Sequence, residues 1–412
     1  MFKMPSRNKI MKERFRDKVK LKKRNELLSE LNYMEMLSIG IIDKIFFNGF
    51  IQEAVQLLIN AIFLMEDGYF DCAFYSARQS QEVINNMLYL ASDRTQLEKW
   101  KHKEKFPMNN QVLKKLEELN YNYKEFKTIF ADFFDEYEKL NAQSNKTIHK
   151  QGIDSFYEMR VKYAQEIHFN KTAELELFSK IISYSICHLY LLYILLDPLG
   201  LILADEELNK KLHFAPSTEP ININYLKQNF PMDFVSLLKT TEFYKSLIDT
   251  FGMNEDMNDA MYDLIRESYF DLDNLDMIAN QIHLIDCYGK FVFNILSNGY
   301  KISNFYFNYI SILPDFWTSI PSNHKQNHWS KEESDKYKFT NPTFNVQYHN
   351  VFLSAVPMFE DEMLIMEHNE IISDDDINIL NKMVSEQNEM HKKMIEEMFA
   401  NLDNASINNK KT

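Results

Sequence analysis

His149 and Asn145 stand one helical turn apart in the run Leu140-Asn141-Ala142-Gln143-Ser144-Asn145-Lys146-Thr147-Ile148-His149-Lys150, with Lys146 beside them. A spacing of i, i+4 puts the imidazole and the carboxamide on one face of a helix. An imidazole changes charge near neutral pH, so it can take or give a proton during a reaction. The carboxamide can orient a polar substrate, and the ammonium can hold an anion. A second polar group, Arg78, Gln79 and Glu82, lies in Ala77-Arg78-Gln79-Ser80-Gln81-Glu82. Arg78 and Glu82 are again i, i+4, so the carboxylate can fix the guanidinium. The simpler reading stays open beside this one. His149 is then a polar residue of a last helical turn, favoured there as a cation by the helix dipole, and Arg78 and Glu82 are a surface pair.

These groups need rigid elements beneath them, and the apolar spacing supplies helices. Ile51, Ala54, Val55, Leu58, Ala61, Ile62 and Met65 fall at helical period, and Gly68 ends that helix. Asp71 can cap the next, whose face runs through Ala73, Ala77, Ile84, Met87, Leu88 and Ala91. The short gap predicts an antiparallel pair. After a short segment around Leu97 and Trp100 and a helix near 110–118, a long helix is expected over 123–150. Phe126, Phe130, Phe133, Tyr137 and Leu140 make its stripe, and Gly152 terminates it. A further helical region from about Ser155 ends in the uncharged run Ile181–Leu196, closed by Asp197-Pro198. That run is shorter than the roughly twenty residues that span a bilayer, so a central buried helix is expected.

Pro216 and Pro220 mark an expected domain boundary. Beyond it, helical patterns run near 233–251, 255–269 and 271–296. The stretch 312–358 is irregular, with Phe344, Val346, Tyr348 and Val351 as a candidate strand. Asp374, Asp375 and Asp376 open a final helix to about Ala400, where acids suit the dipole.

Composition narrows the function classes. Only 8 Gly and 10 Pro occur among 412 residues, which favours helices over turn-rich sheets. The hydrophobic fraction of 45% excludes a wholly disordered chain. Cys72, Cys187 and Cys287 form no CxxC pair and lie in apolar patterns, so buried reduced thiols are expected. The net charge of −14 argues against a general nucleic-acid coat, but residues 1–24 carry +9 and leave −23 for the rest. Such a basic arm suits RNA phosphates or the acidic remainder of its own chain. Acidic residues from Glu26 onward interrupt any secretory signal, so a cytoplasmic protein is expected, with no membrane partner. No Gly-rich phosphate loop, GxSxG elbow or HExxH motif occurs. His324 and His328 have metal-ligand spacing but lie in a Pro-bounded loop without a third ligand. Asp271, Asp273 and Asp276 lack the glycine of a calcium loop. No metal ion or cofactor is expected.

The stretch Glu53–Leu90, with its GYFDCAFYSARQSQE helix, followed by a long helix ending in polar residues and one histidine, resembles a HEPN domain, over about residues 35–200. That resemblance implies a four- or five-helix up-and-down bundle, usually dimeric. Many members are metal-independent endoribonucleases of toxin–antitoxin, abortive-infection and CRISPR-associated systems. Their signature is an arginine followed after four to six residues by a histidine. His149 matches the histidine and Asn145 the polar position, whereas Ala142, Gln143 and Ser144 stand where the arginine would be, and no arginine lies between Arg94 and Arg160. Metal-free RNA cleavage needs a base for the 2′-hydroxyl and positive charge on the phosphorane. Lys146, or Arg78 from a neighbouring helix or a dimer partner, would supply the charge, although lysine lacks the planar two-point fit to phosphate.

The expected protein is therefore mainly α. It has a basic helical arm (1–32), a HEPN-like bundle (33–204), a linker (205–222), a mostly helical C-terminal domain (223–403) and a disordered tail (404–412). The functional expectation is a metal-independent endoribonuclease in bacterial stress or phage defence. His149 would act as base or acid, Asn145 would orient substrate, Lys146 and Arg78 would stabilise phosphate, and Glu82 would position Arg78. RNA, a second copy of the chain and a protein trigger or antitoxin would be its partners. The rival expectation is a non-catalytic dimerisation or binding module.

Overall fold

The computed structural model describes residues 19–156, 171–267, 269–285, 287–307, 326–328, 336–337, 339, 341–357, 363–386 and 389. The chain is mainly helical and divides into two compact units. The first comprises 1–212 and 216–254, the second 213–215 and 255–412.

In the first unit, α1 (Arg24–Met36) is followed by α2 (Asn48–Glu66) and α3 (Phe70–Ser92). The seven apolar residues that the period assigns to the inner face of α2 are the seven that are buried. On α3, Ala73, Ala77, Ile84, Met87 and Leu88 are buried, while Ala91 is half-buried. Gly68, with φ 79°, makes the tight reversal between them. Ser76 Oγ donates to the Leu57 carbonyl (2.7 Å) and Ser80 Oγ to that of Ala54 (2.8 Å), so the chains run in opposite senses. Asp71 is not the cap: Tyr69 holds that position, and Asp71 sits inside the first turn.

Then come α4 (Arg94–Lys101), α5 (Asn109–Leu119), α6 (Tyr121–Ile129), α7 (Ala131–Ile148) and α8 (Lys171–Leu196). The single long helix expected over 123–150 is thus two, broken at Phe130 (φ −98°, ψ 34°), which ends α6 and begins α7. Its aromatic stripe is nevertheless buried throughout. Among the described residues, two helical stretches, 43–66 and 172–196, are long and apolar enough to cross a membrane. The window in the second is 94% buried, as expected of a central bundle helix.

Of the expected linker at 205–222 only residues 213–215 belong to the second unit; the rest stays in the first, and the main division falls at 254–255. After α9 (Leu199–Ala204), the short helices α10 (Ile223–Asn229), α11 (Phe234–Leu238) and α12 (Glu242–Phe251) complete the first core. The Phe133 ring stacks on Phe230 (4.3 Å between centroids) and on Tyr184 (5.2 Å). Phe130 stacks on Phe234 (5.5 Å), and Phe126 meets Phe243 edge-on (5.4 Å). Proline punctuation marks a local turn, whereas these aromatic contacts decide membership of the core. The expected helix over 233–251 is accordingly two, interrupted at Lys239–Thr241.

The second unit holds α13 (Asp259–Glu267), α14 (Leu275–Ala279), α15 (Cys287–Ser297) and α16 (374–386) around one sheet. The expected helix over 271–296 is broken into short turns before α15, and α16 is described only to residue 386. The strands are β1 (Ile302–Phe307), β2 (Gln326–His328), β3 (Thr343–Tyr348), β4 (Val351–Pro357) and β5 (Met363–His368), in the order β2-β1-β5-β4-β3. β1 and β2 are parallel and the other pairs antiparallel, with Ala355 opposite Ile365. Sequence reading found only the β3–β4 region. Strand β5 packs alternate residues to opposite sides, Leu364 and Met366 into the helical core and Met363 and Ile365 into a small cluster with Leu353 and Ala355.

Candidate functional site

α3 and α7 carry the candidate residues, and the fold brings their polar faces together. Arg78 Nη1 lies 2.6 Å from His149 Nε2, although 71 residues separate them in the chain. A guanidinium only donates, so Nε2 accepts, and the ring in this arrangement is neutral with its proton on Nδ1. Arg78 Nε and Nη2 each lie 3.1 Å from Glu82 Oε1, so the carboxylate holds the side of the guanidinium away from the imidazole. The side chains of Arg78 and Glu82 are 29% and 27% exposed and His149 is exposed, so a solvent-borne ligand can reach the pair.

His149 is the C-cap of α7, its N–H bonded to the Asn145 carbonyl at 2.8 Å. Asn145 is half-buried and Lys146 exposed, one turn or less from the imidazole. Gln79 points to solvent, and Ser144 and Ile148 are buried against the bundle. Thus the two polar groups read from sequence form one site within the first unit, with the arginine supplied by α3.

Three residues that sequence reasoning did not place belong to the surroundings of the site. Lys150 Nζ is paired with Asp71, and the Tyr75 hydroxyl donates to the Ile148 carbonyl at 3.1 Å. No sequence signal links Asp71 with Lys150, because nothing local says that the start of α3 meets the end of α7.

Other expectations fall elsewhere. Cys187 is buried as expected, but Cys72 is exposed, because its place in the first turn of α3 faces away from α2 and α8. The side chain of Cys287, His324, residues 404–412, where a disordered tail is expected, and residues 1–18 of the basic arm lie outside the described residues. What is described of the arm contacts acids of its own unit: Arg24 Nε is 2.9 Å from Glu66, and Lys22 Nζ 3.6 Å from Glu176. Among the described residues, no three His, Cys, Asp or Glu gather as a metal site. An open cleft of about 790 Å³ lies beside α9, α10 and α11, and none of the sequence-predicted residues lines it. No family model matches the chain, and no curated protein or solved structure is significantly similar to it.

Proposed function

We propose that the first unit is a metal-independent endoribonuclease of the HEPN type, acting in bacterial stress or phage defence. The observation that carries this reading is the 2.6 Å approach of Arg78 to His149 at an accessible surface. It supplies, from α3, the arginine that the α7 sequence lacks. An incoming phosphodiester is a stronger acceptor than imidazole and would draw Nη1 away, freeing Nε2. His149 then takes the proton of the 2′-hydroxyl. The oxygen attacks phosphorus, the bond to the 5′-oxygen breaks, and His149 gives its proton to that leaving oxygen, producing a 2′,3′-cyclic phosphate and a 5′-hydroxyl. Arg78 and Lys146 stabilise the phosphorane, Asn145 orients the ribose, and Glu82 holds Arg78. Dimerisation through the bundle and a cytoplasmic location accompany this reading.

Total RNA incubated in EDTA tests it. Wild type should leave cyclic phosphate ends. His149→Ala should lose about 10²–10⁴-fold in rate, and Arg78→Ala about 10²–10³-fold. Intact RNA with purified wild type, in the presence of its cellular extract as a source of trigger, sinks the reading.

The rival reading, a non-catalytic binding module, draws on Glu82. With two guanidinium nitrogens already on this carboxylate, Arg78 has the geometry of a helix surface pair. Unchanged RNA together with a bound partner would favour it.

A further inference from the structure

The end of α7 adopts a backbone conformation that a lysine resists. Lys150 has φ 53°, in the left-handed region, and Gln151 N–H bonds the Lys146 carbonyl at 3.0 Å, closing a Schellman turn around His149. Glycine takes this position without a side-chain clash, whereas a β-carbon there is strained. What the lysine provides is reach: its ammonium is paired with Asp71 in the first turn of α3. One turn along α3, the Tyr75 hydroxyl takes the Ile148 carbonyl, one of the last four carbonyls of α7 that have no intrahelical donor. Asp71, Tyr75, Arg78 and Glu82 recur at i, i+4, i+7 and i+11, along a single stripe of α3. Three consecutive residues at and just past the end of α7 therefore meet that stripe: Ile148 at Tyr75, His149 at Arg78 and Lys150 at Asp71.

We propose that Asp71, Tyr75 and Lys150 are positioning residues that register the end of α7 on α3 and so hold His149 against Arg78. The strained lysine is then explained by the ion pair that only a long cationic side chain at that position can make. The role rests on reading Arg78 and His149 as the reactive pair, but the registration itself is measurable without RNA.

The full chain carrying Lys150→Gly separates positioning from general stability, because glycine relieves the backbone while removing the ion pair. The expected result is a thermal midpoint equal to or above that of wild type. In contrast, the nitrogen-15 shift of His149 Nε2, which reports its hydrogen bond to Arg78, should move toward its value in Arg78→Ala. Lys150→Arg, which restores the cation, should bring that shift back. Asp71→Asn and Tyr75→Phe keep the α7 backbone and should move the shift in the same direction. On RNA, Lys150→Gly, Asp71→Asn and Tyr75→Phe should lose about tenfold or more in kcat with KM little changed, as misplacement of a reacting group does. A His149 Nε2 shift identical to wild type in folded Lys150→Gly, Asp71→Asn and Tyr75→Phe overturns the proposal. Absence of cleavage by wild type removes the ribonuclease reading alone, since the ring nitrogen shift still decides the registration.

Discussion

The protein sets two histidines in opposite surroundings within one bundle. His149 is exposed at the end of α7, whereas His188 is 1% exposed in the middle of α8. His188 Nε2 lies 2.9 Å from Asn85 Oδ1, and its ring stacks on Tyr137 with centroids 4.4 Å apart. Asn85 uses its own Nδ2 on Asn109, so its Oδ1 accepts, Nε2 carries the proton and Nδ1 has no partner among the described residues. A second proton would have to sit on that buried nitrogen. Burial accordingly pushes the His188 pKa down to about 3. In the unfolded chain the ring takes a proton below about pH 6.5, which the folded state refuses. His188 therefore withdraws stability as pH falls from about 6.5 toward 3, by about 1.4 kcal/mol per pH unit. Urea unfolding at pH 6.5 and pH 5.0 should show about 1.5–2 kcal/mol more loss in wild type than in His188→Gln. Equal losses would mean that the ring is protonated inside the fold. The sequence placed both histidines on helices and His188 inside an apolar run expected to be buried, but not the partners of either ring, which depend on the neighbours each helix meets.

At the scale of elements, α7 is the lever on which the site depends. Its start is held by the aromatic stack of Phe133 with Tyr184 on α8 and Phe230 just beyond α10, and its end by the contacts with α3. Phe133 is fully buried, so Phe133→Ala should cost about 3–5 kcal/mol through lost burial and the cavity left behind. Phe133→Leu should cost clearly less. Thermal or chemical unfolding distinguishes them, and equal costs would show that the ring stack, rather than the volume it fills, carries the stability. The stripe on α7 was legible because a helical period reports which face is buried. The break at Phe130 was not, because the apolar spacing continues through it with no Gly or Pro to mark it.

For the whole molecule, the division at residues 254–255 makes a prediction about fragments. A chain ending at Asn254 retains Phe230, Phe234 and Phe243 against α6 and α7, and should unfold cooperatively with native near-ultraviolet dichroism. A chain ending at Leu212 exposes Phe126, Phe130 and Phe133, and should aggregate or lose that signal. Equal behaviour of the two fragments would restore the boundary at the prolines. The second unit has its own core of α13–α16 and one face of the sheet, so each unit satisfies the usual requirement of a domain.

Sequence by itself determined the helical class, the inner faces of α2, α3 and α7, the buried character of α8 and the identity of the polar residues at the site. All of these follow from period, side-chain chemistry and glycine placement, which act over one or two turns. Tertiary structure alone decided that Arg78 reaches His149, that Lys150 crosses to Asp71, that 223–251 belong with the first core, and that β1 and β5 join β4 in one sheet. Each joins residues distant in the chain, and such pairing is set by which faces bury the most apolar surface together, a sum over the whole core that no local window contains.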